Sequence, residues 1–176
     1  MKTAAVLCVI ILALAALGTT LGSWRATLAN ENEPGERLFV SGRVFEADGH
    51  TPAAKIRMMF YQTDKNGIYG TRSGKPSEIA RLRGSLVTGP EGQYEVWTIR
   101  PGAYPNGRTP AHIHYVITNH DGSVHHDALE FSDDPLVDTS KAAGAASGAA
   151  FAQMQTPVKD AKGVWRVQKD VQLKHE

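Results

Sequence analysis

Cysteine is nearly absent from this sequence. The single cysteine among 176 residues, Cys8, lies in an apolar stretch near the N-terminus. The rest of the chain therefore forms no internal disulfide framework, and it offers no thiolate as a nucleophile or metal ligand. Any metal bound by the folded part of this chain must be held by His, Tyr, Asp or Glu side chains.

An excess of charge of one sign is also lacking. The chain has 19 Lys and Arg residues against 18 Asp and Glu residues, for a formal net charge of +1. This balance argues against a nucleic-acid partner, because such proteins usually carry a strongly basic surface. Hydrophobic residues make up 41% of the chain and charged residues 21%. These values are typical of a soluble globular protein. A length of 176 residues is enough for one domain of ordinary size plus a leader.

Long hydrophobic runs are missing except at the start of the chain. Lys2 precedes an apolar run over residues 4–17, and small residues follow up to Ser23. This pattern predicts that residues 1–23 are a signal peptide or an N-terminal anchor. We therefore expect export to the periplasm or the extracellular space, with membrane contact only through an uncleaved N-terminus. Residues 24–36 are polar, contain Pro34-Gly35 and are predicted to form a linker, which leaves 37–176 as the folded domain.

The remainder is a succession of short segments rich in Val, Ile and aromatic residues, separated by Gly, Pro, Asn and Asp. The predicted strands are 38–46, 54–62, 81–88, 93–99, 112–119, 124–131 and 164–173. Many short strands with turn signals at near-regular spacing predict an all-β sandwich or barrel. The Ala-rich segment 141–154 is the exception, and we expect a surface loop there with at most a short helix because Gly144 and Gly148 weaken helix formation.

Two histidines in the strand at 112–119 are candidate metal ligands. His112 and His114 are two residues apart, and side chains at i and i+2 of a strand point to the same face. Tyr104 lies on the loop that leads into this strand and can fold back towards the two imidazoles. Together with Tyr69, these residues predict a metal site with two nitrogen and two oxygen donors. Phenolate is a hard oxygen donor, so a Tyr₂His₂ set favours ferric iron over zinc.

Six motifs in order carry a family resemblance. They are Gly42-Arg-Val44 with Asp48-Gly49 and Thr51-Pro52; Tyr61-Gln-Thr-Asp64 with Gly67-Ile-Tyr69; Arg83-Gly84 with Thr88 and Gly92-Gln-Tyr94; Thr98-Ile-Arg-Pro-Gly-Ala-Tyr-Pro105; Pro110-Ala-His-Ile-His114; and Phe131-Ser-Asp-Asp-Pro135. The chain from about residue 38 to 135 resembles the intradiol ring-cleavage dioxygenases, and most closely their short, single-domain, exported branch, which is protocatechuate 3,4-dioxygenase-like.

This resemblance implies a β-sandwich of the intradiol dioxygenase or prealbumin-like type that holds non-haem Fe(III). By matching, Tyr104 and His114 would be axial ligands, Tyr69 and His112 equatorial ligands, and hydroxide the fifth. A catechol-type diol would chelate the iron and displace Tyr104, which would then accept a substrate proton. The ring would be cleaved with O₂ between the two hydroxyl-bearing carbons, giving a muconate-type diacid. The expected partners are therefore a small aromatic diol and O₂.

Two positions depart from the family's pattern. An arginine usually stands three residues before the first histidine, where this chain has Thr109; the neighbouring Arg108 is the candidate to take its catalytic role. A glutamine of the family falls at Ala128. Because loss of residues around a metal site commonly lowers activity without abolishing metal binding, two alternatives stay open. One is a catalytically altered sandwich that binds metal or an aromatic or carbohydrate ligand, and the other is a purely structural module.

Other residues of interest have ordinary structural interpretations. The remaining histidines are interpreted as incidental, including the adjacent pair His125-His126, whose side chains face opposite ways in a strand. Tyr61, Tyr94 and Tyr115 are interpreted as strand aromatics. Trp97 and Trp165 are predicted to lie in the core, and Asp133-Asp134-Pro135 to form a solvated turn.

Overall fold

The regular structure of the protein consists of strands. The computed structural model describes residues 22–70, 80–137 and 151–174, and within these ranges it contains no helix. The strands are β1 (Arg25–Thr27), β2 (Arg37–Phe45), β3 (Arg57–Gln62), β4 (Leu82–Val87), β5 (Gln93–Ile99), β6 (His112–Thr118), β7 (Val124–Phe131), β8 (Met154–Gln155), β9 (Val158–Lys159), β10 (Trp165–Gln168) and β11 (Val171–Gln172).

These strands form two sheets that enclose the main hydrophobic core. The first sheet has the order β1-β5-β2-β10-β9, with β11 also pairing with β2, and the second has the order β4-β3-β6-β7-β8. Alternate side chains of each strand enter the core, as the period of two requires. In β6, for example, Ile113, Tyr115 and Ile117 are buried in the core. The intervening histidines at 112 and 114 therefore lie on the outer face of the second sheet.

Aromatic rings join the two sheets. Phe60 on β3 lies 5.6 Å from the ring of Tyr94 on β5 and 5.9 Å from that of Tyr115 on β6. The buried hydroxyl of Tyr94 donates a hydrogen bond to the carbonyl oxygen of Lys169 at 2.6 Å. Buried tyrosines are stable in a core when the hydroxyl finds such an acceptor. The predicted all-β sandwich is confirmed.

Six of the seven predicted strands correspond to β2–β7, and the seventh is divided into β10 and β11. The division falls at residues 169 and 170, where the carboxylate of Asp170 accepts the backbone N–H of Arg43 at 2.9 Å. Strands β1, β8 and β9 were not predicted. Each has only two or three residues, which is too short for a periodic pattern to be recognised.

The segment predicted as a polar linker belongs in part to the sandwich. Ala26 in β1 is buried, and β1 pairs in parallel with β5. Further along, Glu33 and Arg81 form a bidentate ion pair. Glu36 accepts hydrogen bonds from Lys159 at 2.6 Å and from the indole N–H of Trp165 at 3.0 Å. The prediction of a linker over residues 24–36 relied on their polar composition. It was wrong in part, because these charged side chains have partners elsewhere in the fold.

The two tryptophan predictions have different outcomes. Trp165 is partly buried and packs against the core. Trp97 is 39% exposed on the outer face of the first sheet, so its predicted core position is wrong. The reason is the period of two in β5, which sends Tyr94 and Val96 into the core and Trp97 outward.

Several predictions concern residues outside the described ranges. They include the leader over residues 1–21, His175 and most of the Ala-rich segment 141–154. Of that segment, residues 151–153 precede β8 and Met154 begins it. No helix among residues 22–70, 80–137 and 151–174 is long and apolar enough to cross a membrane.

Candidate metal centre

The two histidines of β6 stand side by side on the outer face of the second sheet. Their Nε2 atoms are 2.9 Å apart. The Nδ1 atom of His112 lies 2.7 Å from the carbonyl oxygen of Pro110. Because a carbonyl can only accept, Nδ1 of His112 carries the proton, and its Nε2 presents a lone pair towards His114. A hydrogen bond of this kind orients a metal-binding imidazole.

The two tyrosines complete the cluster. The hydroxyl oxygens of Tyr69 and Tyr104 are 2.6 Å apart, and the Tyr104 ring lies 5.1 Å from that of His112. The structure therefore brings together the four residues that the sequence predicted as metal ligands. That these residues bind a metal stays a prediction.

A fifth ring closes the cluster. Tyr61 stacks on His114 with ring centroids 4.7 Å apart and an interplanar angle of 17°. Its ring is also 6.3 Å from that of Tyr69. The five rings thus form a closed circuit, in the order Tyr61, His114, His112, Tyr104 and Tyr69. The sequence alone identifies Tyr61 only as a strand aromatic, because its contact with His114 depends on the β3–β6 register that places the two residues opposite each other.

Burial disfavours the charged forms of two members of the cluster, Tyr69 and His114. Burial, reinforced by the hydrogen bond with Tyr104, raises the pKa of Tyr69 well above its ordinary value. Burial, with smaller effects from His112 and His126, lowers the pKa of His114. Neutral imidazole is the form that binds a metal, whereas a phenol becomes an anionic ligand only when a nearby cation stabilises the phenolate.

The donor set fits ferric iron. It combines two imidazole nitrogens with two phenol oxygens and contains no sulfur. Within the described ranges, no three His, Cys, Asp or Glu side chains converge on one point. The phenols of Tyr69 and Tyr104 are the further side-chain donors that lie beside the two imidazoles. Two phenolates would offset most of the charge of a trivalent cation, which lowers the cost of burying it.

The loops that carry the two tyrosines are held together through their backbones. The carbonyl oxygen of Asp64 accepts N–H groups from Gly67 at 3.1 Å and Gly102 at 2.8 Å. The hydroxyl of Thr63 donates to the carbonyl oxygen of Gly102 at 3.0 Å. Gly67 has φ +79°, and a Cβ atom there would lie 1.9 Å from the carbonyl oxygen of Ala103. Glycine at this position therefore permits the close approach that brings Tyr69 to Tyr104.

Replacing Gly67 with alanine is expected to separate the two tyrosine loops. The left-handed backbone costs about 1–2 kcal/mol for a residue with a Cβ, and the overlap with Ala103 costs about 1–3 kcal/mol more. We expect a lower midpoint of thermal unfolding and loss of iron during gel filtration. Gly122→Ala is the matched control, because Gly122 has φ +87° and a Cβ atom at this position would meet no other atom within 4 Å. Equal losses in both variants would contradict a role for the close approach.

The acidic segment after β7 is not simply a solvated turn. Asp133 forms a bidentate ion pair with Arg100 at 2.7 and 2.8 Å. The carboxylate of Asp134 accepts the backbone N–H of Ala111 at 3.0 Å. These bonds tie the end of β7 to the segments before Tyr104 and before His112. These bonds were not predicted from the sequence, because the two residues of each bonded pair are more than 20 positions apart in the chain.

The residues that depart from the family's pattern lie around the cluster. Ala128 is the cross-strand partner of His114 and is buried. The carbonyl oxygen of Thr109 accepts the backbone N–H of Tyr104 at 3.2 Å. Arg108 is exposed in the turn after Tyr104, and among the described residues its guanidinium has no hydrogen-bond partner. Its predicted catalytic role stays a prediction.

The chain resembles known proteins over nearly its whole length. A family model described as Dioxygenase (Dioxygenase_C) matches residues 16–174. Because this match covers most of the chain, it establishes the family. The chain belongs to the intradiol ring-cleavage dioxygenase family. The resemblance inferred from the sequence motifs is thereby confirmed.

Among curated relatives of this family, the hydroxyquinol 1,2-dioxygenase of Rhizobium sp. (strain MTP-10005) is 31% identical over 100 residues, which cover 48% of this chain and 34% of the relative. The protocatechuate 3,4-dioxygenase beta chain of Burkholderia cepacia is 33% identical over 113 residues, covering 58% and 48% of the two chains. The chain thus matches between about a third and a half of the length of these relatives.

Solved structures of the family share the fold. The dioxygenase domain of a dioxygenase carbohydrate-binding protein fusion from Streptomyces sp. SirexAA-E superposes with a TM-score of 0.64 at 27% identity, covering 85% of this chain and 87% of that one. Catechol 1,2-dioxygenase from Acinetobacter sp. ADP1 superposes with a TM-score of 0.63 at 21% identity, covering 87% and 57% of the chains. The second similarity concerns the fold alone.

Proposed function

We propose that this protein is a non-haem Fe(III)-dependent intradiol dioxygenase that cleaves a catechol-type aromatic diol with O₂ to a muconate-type diacid. The observation that carries the proposal is the convergence of Tyr69, Tyr104, His112 and His114, with 2.6 Å between the two phenol oxygens and 2.9 Å between the two imidazole nitrogens. Membership of the intradiol family supports the same reaction class.

The four residues would hold the iron, and the protein around them would position the diol. The chemistry supplied by bound ferric iron is Lewis acidity and withdrawal of electrons from a chelated diol, which opens the ring to O₂. Tyr104 follows a Pro-Gly corner and precedes an exposed turn, so it is the ligand best placed to move. Its phenol oxygen would accept the proton of a substrate hydroxyl, acting as general base.

The surroundings of the cluster hold its imidazole rings in place. Tyr61 stacks on His114 and fixes the plane of its imidazole, and Ala128 lies opposite His114 on β7. The carboxylate of Asp134 accepts the backbone N–H of Ala111, which fixes the residue directly before His112. These contacts orient the metal-binding groups before substrate arrives, which is the usual contribution of a protein to metal catalysis.

A second candidate function is a catalytically altered member of the family that binds metal without ring cleavage. Two observations support this second candidate. Ala128 replaces a glutamine of the family with an apolar side chain, and Arg108 is exposed in the turn after Tyr104 rather than bonded within the cluster. The experiment below separates the two candidates.

We also propose that the protein is exported, with residues 1–23 as a signal peptide or anchor. The apolar run after Lys2 supports this proposal. The N-terminal residue of the mature protein, determined by mass spectrometry of the exported fraction, tests it. Recovery of intact Met1 in a soluble cytoplasmic fraction would contradict export.

Metal content, visible colour and O₂ uptake test the proposed reaction. We expect roughly one iron per chain and a red-brown colour from phenolate-to-iron charge transfer. Addition of catechol should shift the absorption, and O₂ uptake should match the amount of diacid formed. A colourless protein after correct iron loading would exclude the dioxygenase. Colour without O₂ uptake on hydroxyquinol, catechol and protocatechuate would favour the altered relative.

A further inference from the structure

The outer face of the first sheet carries an exposed aromatic surface that the metal centre does not use. The cross-strand register places Thr27, Trp97, Phe39 and Arg166 in one row. The rings of Trp97 and Phe39 are 4.6 Å apart and inclined by 47°. Their neighbours along the strands, Val40 and Val96, face the core. This row therefore lies on the side of the sandwich opposite the five-ring cluster.

A groove borders this row and has a mixed polar rim. Its volume is about 510 Å³, and it is lined by Thr27, Ala29, Asn30, Glu31, Arg37, Trp97 and Thr98. The volume falls within the range of about 300–1,000 Å³ usual for small-molecule sites. The guanidinium of Arg37 is held in place by donating to the carbonyl oxygen of Asn30 at 2.8 Å. Among the described residues, the carboxylate of Glu31 and the indole N–H of Trp97 have no hydrogen-bond partner.

We propose that this groove binds a neutral pyranose oligosaccharide or polysaccharide, with one sugar ring stacked on Trp97. A pyranose presents an apolar face of C–H bonds, which packs against an aromatic face, and a rim of hydroxyl groups that both donate and accept. Glu31 would accept from such hydroxyls, whereas Arg37 would donate to them. The opposite charges of these two residues disfavour a ligand that is itself strongly charged, whether anionic or cationic.

A protein partner fits this face less well. The apolar part of the row consists of one indole and one half-buried phenyl ring. Charged pairs flank it, with Arg25 bonded to Glu95 at 2.8 Å and Arg166 bonded to Asp160 at 2.7 Å. A stable protein interface buries about 800 Å² on each partner around a larger apolar centre. An exposed ring beside a groove that carries one carboxylate and one guanidinium is better matched to a sugar chain.

The two sites would act independently, because they lie on opposite outer faces of the sandwich. A polysaccharide bound at Trp97 would leave the metal centre accessible to a small diol. The proposed sugar site thus does not rest on the proposed reaction.

Binding to cellohexaose, xylohexaose and microcrystalline cellulose tests the proposal. Purified iron-loaded protein is assayed by isothermal titration calorimetry with the two oligosaccharides and by depletion from cellulose suspensions. We expect the wild-type protein to bind at least one of these probes and Trp97→Ala to weaken that binding by about tenfold or more. Glu31→Gln is expected to weaken it less, and Trp97→Phe to retain part of it.

Met59→Ala is the matched control, because Met59 is also 39% exposed but lies on the outer face of the second sheet. It should bind sugar like the wild type. Iron content and thermal unfolding of Trp97→Ala should equal those of the wild type. A loss of sugar binding in this variant is then due to the missing indole and not to misfolding. No binding by the wild type to any probe would overturn the proposal, as would equal binding by Trp97→Ala. Concentration-dependent dimerisation that Trp97→Ala abolishes would also overturn it and assign the face to a second copy of the chain.

Discussion

Replacing His112 with alanine is expected to abolish iron binding and, with it, the colour and all ring cleavage. His112 is a buried member of the cluster, and its Nδ1–H bond to Pro110 aims its Nε2 at Nε2 of His114. Residues that merely support a ligand already contribute about 10–100-fold in metal affinity, so the loss of a ligand should exceed about 100-fold. The measurement is iron content by atomic absorption after dialysis, together with the visible spectrum.

His120→Ala is the control for this variant, because His120 is exposed in the turn after β6 and lies 3.6 Å from Glu46, far along the strand from the cluster. It should keep its iron and colour. We expect His112→Ala to remain folded, because β6 is anchored by Ile113, Tyr115 and Ile117 in the core. If a folded His112→Ala variant retained its iron and the red-brown colour, the assignment of the metal centre would be wrong.

Tyr104→Phe is expected to lower kcat by about 10²–10⁴-fold, the usual contribution of a positioned general base. The substitution removes only the phenol oxygen and keeps the ring that packs 5.1 Å from His112 and 5.9 Å from Tyr69. Part of the iron should remain bound by the other three residues. The charge-transfer band should weaken because one phenolate is left. Steady-state O₂ uptake with catechol, measured beside the visible spectrum, checks both expectations.

The control for this substitution is Tyr61→Phe, which also removes one phenol oxygen from a ring of the same circuit. Tyr61 contributes its ring to the stack on His114, and among the described residues its hydroxyl makes no hydrogen bond. We expect nearly unchanged activity and colour in this variant. A fully active Tyr104→Phe enzyme would refute the role of Tyr104 as the base, whereas equal losses in both variants would indicate a general effect of the removed hydroxyl groups.

The sequence predicted the direction of side chains best where the prediction depended on a single strand. The two-residue spacing of His112 and His114 places both imidazoles on the outer face of β6 and buries Ile113, as the period of two predicts. The same period, applied to β5, would have placed Trp97 outward with Glu95. The core prediction for Trp97 was wrong because it followed the general preference of tryptophan for burial instead of this alternation.

Contacts between distant segments were harder to predict. The stack of Tyr61 on His114 depends on the register of β3 against β6, and the ion pair of Arg100 with Asp133 depends on a contact between residues 33 positions apart. Similarly, the pairing of β1 with β5 converts part of a polar segment into an edge strand. No local pattern encodes these pairings, because each is selected by the packing of the whole sandwich.

The order of motifs, the absence of cysteine from the folded part and the alternation within single strands were sufficient to determine the family, the sandwich and the four candidate ligands. These features are local, and side-chain direction in a strand follows directly from residue number. Only the tertiary structure decided that the two tyrosine loops meet through Gly67 and Gly102, that Tyr61 closes the circuit of rings, and that Trp97 faces a groove on the opposite side. Those outcomes depend on strand register and on close backbone contacts between segments far apart in the chain, which the spacing of residues along it does not specify.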